Sequence, residues 1–567
     1  MKAHVERMRG RRERLGVVGF IRRRAAHPVR SAMVFALGLQ PEGVQVMNRC
    51  LVILALAVQS VLTIPALGGL QPPSRAAPPP APPSPPATRE RQYWMGVMDT
   101  RSPANPTMEF LVTLWQEGQA WRGTLDIPPS VGVGGAWANE FVAADVSPER
   151  IELVQAAGQP GAQPNLFALV RNPVGGDSAS GRVIIGGAAE IPARIWKVSP
   201  AVARDFMPRR PQLPQPPLPY ERRVVEAPNT REGQTVGLQG ILTLPPGEGQ
   251  HPAVVLVNAF DVFDADHTSF GHKPFVVLAD RLARAGIATL RTHDRPMSRR
   301  GLAPRTQLTI QQLGVEAAER ARWLATQPGI DPARIGLVGL NEGGTASVIA
   351  ANEAGELVRC VVLLAPLAVT GIQQLRDEFS EAIRGEGETA EFAASRAASF
   401  IRPYEMLAAT APEQEVVEAI NAEMTMQRAA RRQQLGEASA EVVSGLAKQQ
   451  YLIMNTAEFR QGLTFDPAEA LSRMTQPALA IIGGKDPRFI AGSNGPALER
   501  SLGARQGVES IIRVATSLNH RLQPAQSGSM QEIQEIELTF DEGVLEEVVK
   551  FVTRHLNVAR MPKEENR

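Results

Sequence analysis

Arg334-Ile-Gly-Leu-Val-Gly-Leu-Asn-Glu-Gly-Gly344 is the stretch that decides the fold. It begins as an apolar strand and runs into a helix through Gly339-x-Asn341-x-Gly343. A corner this tight leaves no room for a Cβ on the flanking residues, which is why both are glycine. The residue at the tip is expected in a strained backbone conformation, commonly at positive φ. Asn is one of the few non-glycine types that tolerates one.

Working outward, short apolar runs alternate with amphipathic stretches. Ala253–Val257 is a continuous apolar run, as expected for a strand buried on both faces. Pro274–Ala285 reads as helix and Ile287–Leu290 as the next strand. Ile310, Leu313, Ala317, Ala321 and Leu324 recur at helical spacing. Strands at Arg334–Val338, Cys360–Leu364 and Ala478–Ile482, and a closing helix Val544–His555, continue the series. Such alternation implies an α/β fold, a mostly parallel sheet with helices on both faces. Leu367 to Phe459 lacks a strong strand and is Ala/Glu/Arg-rich, so a helical cap over the strand ends is expected at about 368–459.

The chain has 567 residues, too many for one compact core. Residues 1–46 are Arg-rich and show no sustained apolar period. Met47-Asn48-Arg49-Cys50 then leads into a largely apolar run, Leu51 to Leu70, ending in small residues around Ala66–Gly69. This matches a secretory signal peptide. Translation is accordingly expected to start at Met47, with 1–46 a non-native extension, 47–70 the export segment, and the protein exported. The run also approaches the ~20 residues a bilayer span needs, and the upstream arginines would suit an inward-facing flank. A membrane tether through 51–70 therefore stays open as the second reading. Nine prolines between Gln71 and Ala87 then give an extended spacer, counted as 71–91.

Residues 92–200 read as a small all-β domain. Phe110–Trp115, Ile151–Val154 and Arg182–Ile185 are short runs separated by Gly/Pro/Asn turns. Trp94, Trp115, Trp121, Trp137 and Trp196 fall here. No acidic or amide cluster accompanies them, so they are expected to fill a core rather than stack on sugars. A second Pro-rich joint, 208–219, precedes the α/β region, 220–560.

Charge and cysteine content exclude several function classes. Removing residues 1–46 takes away ten Lys/Arg and three Asp/Glu, leaving 50 positive against 55 negative side chains, a net of −5. That balance does not suit phosphate binding, and no nucleic-acid partner is expected. Cys50 and Cys360 make neither an expected disulfide nor a cysteine zinc site. No cofactor or metal is implied. His267 with Asp264 and Asp266 is expected to be a solvated loop cluster, and His272 and His293 structural hydrogen-bonding residues.

The elbow has the form G-x-S-x-G in which the central serine is normally a nucleophile; here the tip is Asn341. Two further residues follow in the order that motif uses, nucleophile, acid, histidine. Asp486 lies in Gly483-Gly-Lys-Asp-Pro487, directly after an apolar strand. His520 lies in Ser517-Leu-Asn-His520, after the strand Ser510–Val514. In such a set the carboxylate fixes the imidazole tautomer and the imidazole takes the hydroxyl proton. Without a hydroxyl or thiol at 341, His520 is expected to have nothing to activate.

Residues 216–560 resemble the α/β-hydrolase superfamily, and more narrowly its exported esterase and serine-aminopeptidase-like branch, related to dienelactone hydrolases and acyl-peptidases. The resemblance is carried by the elbow, by Gly271-His-Lys-Pro-Phe275 and Phe465-Asp-Pro467, and by Asn519-His520 with Gln523-Pro524. Gly123-Thr-Leu-Asp-Ile-Pro128 resembles part of the N-terminal β domain that members often carry. The resemblance implies an α/β-hydrolase fold, a triad-derived site at 341, 486 and 520, and an oxyanion hole of backbone N–H groups from Glu342, Ala259 and Phe260. This chain departs from the pattern at three places. Leu340-Asn341 replaces the usual His-Ser; Asn258-Ala-Phe-Asp-Val262 lacks the usual Gly-rich oxyanion loop; and Pro296 stands where glycine usually follows Asp294-Arg295.

Three functional readings follow. The first is a pseudo-hydrolase that binds an acyl, ester or peptide ligand, or a protein partner, with no fluorophosphonate labelling and hydrolysis too slow to detect readily. The second is an Asp-type hydrolase formed by deamidation of Asn341, which the following Glu342 does not favour. The third is a working serine esterase or aminopeptidase-like enzyme in which Asn341 is an error or an engineered change.

Overall fold

The computed structural model describes residues 90–100, 107–128, 136–155, 163–231, 233–259, 264–293, 309–385, 387–430, 439–530 and 532–557. The expected extension and the export segment lie outside these, as do residues 71–89 of the proline spacer, Phe260 and Asp294 to Pro296; Arg91, counted as the end of the spacer, instead opens the first strand. Among the described residues, no helix is long and apolar enough to cross a membrane.

Eight strands open the fold: β1 (Arg91–Asp99), β2 (Thr107–Glu117), β3 (Ala120–Ile127), β4 (Ala136–Val146), β5 (Arg150–Gln155), β6 (Asn165–Arg171), β7 (Ser178–Ile185) and β8 (Ala189–Val198). Each pairs antiparallel with the next, and β8 pairs with β1, closing a barrel. Its interior is filled by alternate residues such as Trp94, Phe110, Phe141, Phe167 and Ile195. Phe110 and Phe141 both meet Phe167 edge-on, at 5.8 and 5.5 Å between ring centres. The expectation for the tryptophans needs correction. Trp94 is fully buried in the core, whereas Trp115, Trp121 and Trp196 are only half-buried, and the side chain of Trp137 is outside the described set. Phenylalanine and branched aliphatic residues, not indoles, fill most of the barrel.

Helix α1 (Pro200–Phe206) leads into the Pro-rich joint, which is strapped to the next domain. Arg210 donates to the carbonyls of Phe270, Gln534 and Ile536. The Gln212 amide donates to Phe540 O and accepts from the N–H groups of Thr539 and Phe540.

The second sheet has eight strands. The hairpin β9 (Glu221–Arg231) and β10 (Gln234–Leu244) is antiparallel, and β10 pairs antiparallel with β12 (Ala288–Thr292). From β12 the order continues through β11 (His251–Val257), β13 (Ile330–Leu340), β14 (Val358–Leu364), β15 (Ala478–Gly483) and β16 (Ser510–Ala515), all parallel. Side chains alternate between two cores. Val255, Leu337 and Leu363 face helices α3 (Ile310–Leu324) and α4 (Glu342–Ala354). Val254, Val338 and Val362 face α2 (Pro274–Arg284) and, near the C-terminus, the helix Glu542–His555. Burial on both faces explains why these strands read as continuous apolar runs.

Local signals set the helix starts. Pro274 occupies the first turn of α2, where the missing N–H costs nothing. Thr309 and Gln312 form a reciprocal capping box on α3. Between β14 and β15 come the cap helices α5 (Gly371–Gly385), α6 (Ala390–Ala408), α7 (Glu413–Ala430), α8 (Ala440–Met454) and α9 (Ala457–Thr464). They share their own apolar core around Phe400, Tyr404 and Tyr451. Then α10 (Pro467–Arg473), capped by Asp466, precedes β15, and α11 (Ala491–Gly503) links β15 to β16. The short α12 (Glu532–Glu535) and the long α13 (Glu542–His555) end the described chain.

Candidate active site

The strand connections reverse direction at the centre of this sheet. From β11 the chain moves outward to β12, then returns to β13 on the other side of β11. The crevice at the carboxyl ends of two such strands is where open α/β sheets bind ligands. The elbow is at that point. Asn341, between β13 and α4, has φ 56° and ψ −125°, and its side chain is fully buried. Its N–H donates to Leu364 O at 2.8 Å, tying the tip to β14.

The flanking glycines are sterically required. A Cβ on Gly339 would lie 2.1 Å from Gly343 O, and one on Gly343 would lie 2.2 Å from Val257 O. The second contact shows how closely the first turn of α4 packs against the end of β11. Ala259, fully buried, follows that strand end; Phe260 is outside the described residues. The first N–H groups of an α-helix have no intrahelical acceptor, so those of Glu342 and Gly343 are available at the elbow.

Asp486 and His520 lie on the loops after β15 and β16, and the two loops pack backbone to backbone. Lys485 N–H donates to Leu518 O at 2.9 Å, and a Cβ on Gly483 would sit 2.3 Å from Asn519 O. Asp486 Oδ2 accepts from His520 Nδ1 at 2.8 Å, while Oδ1 accepts from the N–H groups of Arg488 and Phe489 at 2.8 and 2.9 Å. Both carboxylate oxygens are thereby engaged. The imidazole is fully buried, with the edge of Phe489 5.2 Å from it between ring centres. Burial pushes its pKa below the ordinary histidine value, more strongly than Asp486 raises it, and Arg488 and Arg521 add to the lowering. At neutral pH the ring is therefore uncharged. With Nδ1–H given to Asp486, Nε2 carries the lone pair.

Sequence reasoning missed the residue that ties these parts together. Arg488 contacts Glu342 at 3.3 Å and Glu378 of α5 at 3.9 Å, and its carbonyl accepts from Gln374 of the same helix. It links elbow, acid loop and cap. Nothing in its local sequence marks it, because its partners are remote along the chain. Glu342, the residue after the elbow tip, has its side chain held in this ion pair.

Two further histidines, His267 and His272, have buried side-chain partners, the first contrary to expectation. His267 is fully buried, not solvated. Its Nδ1 bonds Asn258 Oδ1 at 3.0 Å and its Nε2 accepts from Arg521 at 2.9 Å, so the ring fills a space between β11 and the His520 loop. Asp264 and Asp266 turn to N–H groups and to Arg291 and Lys273. His272 donates to Ile533 O and accepts from Thr539 Oγ1. His293 is held through its backbone N–H, which donates to Gln239 O. Among the described residues no cluster of His, Cys, Asp and Glu could hold a metal ion, and Cys360 is buried and unpaired.

No family model matches this chain. An esterase of Thermotoga maritima, EstD, is 38% identical over 85 residues, which is 15% of this chain and 20% of that protein's length. Among solved structures, an esterase of Pyrococcus furiosus matches 62% of this chain and 98% of its own at 16% identity and a TM-score of 0.35. An α/β hydrolase of a Penicillium species matches 59% and 99% at 16% identity and a TM-score of 0.35. At scores this low the fold rests on the strand order, the elbow and the paired loops of the chain itself.

Proposed function

We propose that this chain, by its strand order, elbow and acid–histidine pair a member of the α/β-hydrolase superfamily, has lost the acyl-enzyme route and binds an acyl, ester or peptide ligand at its elbow. One observation carries the reading. The strained tip of the elbow presents a buried amide, Asn341, in place of an attacking hydroxyl, while the Asp486–His520 pair, linked to the elbow through Arg488 and Glu342, is fully formed. In serine proteases, loss of the attacking hydroxyl costs roughly 10⁶ in turnover. The apolar run at 51–70 supports export of the protein, or its tethering to a membrane, as the setting for that binding. Treatment with a fluorophosphonate should leave the protein unlabelled, and aryl esters should give no burst. The variant Asn341→Ser should gain both, since the acid, the histidine and the helix N–H groups are already in place. Labelling of the parent protein would defeat the reading; a silent Asn341→Ser variant would show that the loop at 258–262 has also lost its oxyanion role.

A further inference from the structure

His520, with Nδ1 on Asp486, keeps a lone pair on Nε2, and the elbow, joined to the acid loop through Arg488, carries a buried polar side chain. His520 Nε2 and both ends of the Asn341 amide, Oδ1 and Nδ2, are buried without a hydrogen-bond partner among the described residues. Both residues are fully buried. Burying such groups without partners costs about 1–3 kcal/mol each, so three such atoms, two on the elbow tip and one on the histidine loop that Arg488 and Asp486 connect to it, point to a small polar molecule that meets them. Asp486 accepts His520 Nδ1–H, so Nε2 can only accept a proton; Asn341 supplies one donor and one acceptor. Arg488 joins the two halves, through its side chain to Glu342 and through its N–H to Asp486.

We infer that His520, oriented by Asp486, is a general base for a water molecule held against the Asn341 amide, and that the chain hydrolyses activated acyl esters slowly by direct water attack. The inference rests on the reading that residue 341 forms no acyl-enzyme. Nε2 takes one proton from the water as its oxygen bonds to the acyl carbon. The carbonyl electron pair moves onto its oxygen, towards the N–H groups of Glu342 and Gly343. When that pair returns, the bond to the leaving oxygen breaks, and the leaving group takes the proton from Nε2. One ester and one water give one acid and one alcohol, and no redox partner is needed.

The test uses 4-nitrophenyl acetate with the whole protein in excess, and compares the parent with His520→Gln and Asn341→Gly. Positioned general bases contribute roughly 10²–10⁴-fold, so His520→Gln should lose about a hundredfold or more of the rate above buffer. Asn341→Gly keeps a residue suited to the backbone of the tip and should also lose rate. Intact mass during turnover should show no acetyl group on the 341 peptide. If His520→Gln does not fold, Asp486→Asn reads the same step, because it keeps the ring but removes its orienting acceptor. A rate unchanged in either the histidine or the asparagine variant overturns the inference, and with no acetylated peptide it leaves the lost acyl-enzyme route standing. An acetylated 341 peptide overturns both.

Discussion

Asn341→Gly should make the protein more stable, although it alters the centre of the site. The tip residue sits at φ 56° and ψ −125°, a region that costs a non-glycine residue about 1–3 kcal/mol. Glycine adopts it freely but gives up roughly 0.5–1 kcal/mol through the greater freedom of the unfolded chain. The Asn341 side chain makes no capping hydrogen bond to α4 and finds no partner among the described residues at either end of its amide, so little favourable is removed beyond the packing of two carbons. The balance is a gain of about 1–2 kcal/mol. Urea melts of the two proteins, with unchanged slope, would measure it as a higher midpoint. In thermal melts each kcal/mol is worth roughly 2–4 °C for a domain of 150–250 residues, and somewhat less for this longer one. A variant less stable than its parent by about 1 kcal/mol or more would refute the argument, because the amide would then be contributing to the fold.

Two further expectations test the surroundings of the site. Gly343→Ala should destabilise by about 1–3 kcal/mol or more, since its Cβ would press on the carbonyl oxygens of Val257 and Asn258, backbone atoms that cannot swing aside; denaturant melts would show it, and an unaffected midpoint would mean that α4 does not abut β11. Acid should weaken the fold through buried neutral imidazoles. Burial pushes His272 down to about 3, and Arg210 and Arg521 add to the effect. The folded protein therefore holds this ring uncharged while the unfolded chain takes up a proton below about 6.5. Its contribution is intact above 6.5 and is lost as the pH falls toward 3, at up to about 1.4 kcal/mol per pH unit. His272→Gln should flatten the fall in stability between pH 6.5 and 5; an unaltered slope would remove His272 as its source.

What could be read from the sequence, and what could not, follows from how each signal is stored. The central strands were legible because Val254 and Val255 are buried on opposite faces, which leaves no polar break in the run. The hairpin β9–β10 was not, because an edge strand such as Glu221-Arg-Arg-Val224 is largely exposed and carries no apolar signature. Closure of the barrel was also hidden, since the pairing of β8 with β1 joins residues a hundred positions apart. Asp486 and His520 could be found because each sits in a short turn directly after an apolar strand, and the structure joins them at 2.8 Å. Arg488 and the Asn258–His267–Arg521 chain could not, because their meaning lies in partners on other elements. His267 misled for that reason: the acidic residues beside it suggest water, while its real neighbours come from β11 and from 254 residues downstream.

The Pro-rich joint has a practical bearing on where the protein can be divided. Its composition suggests a free hinge, yet Arg210 and Gln212 satisfy carbonyl and amide groups on the 534–540 segment, whose neighbour Asp541 bonds Leu522 just beyond His520. A polypeptide begun at Tyr220 would expose those groups and loosen the floor beneath the imidazole. An autonomous C-terminal half should start ahead of Arg210. The joint itself thus belongs, from Arg210 on, to the fabric of the α/β domain.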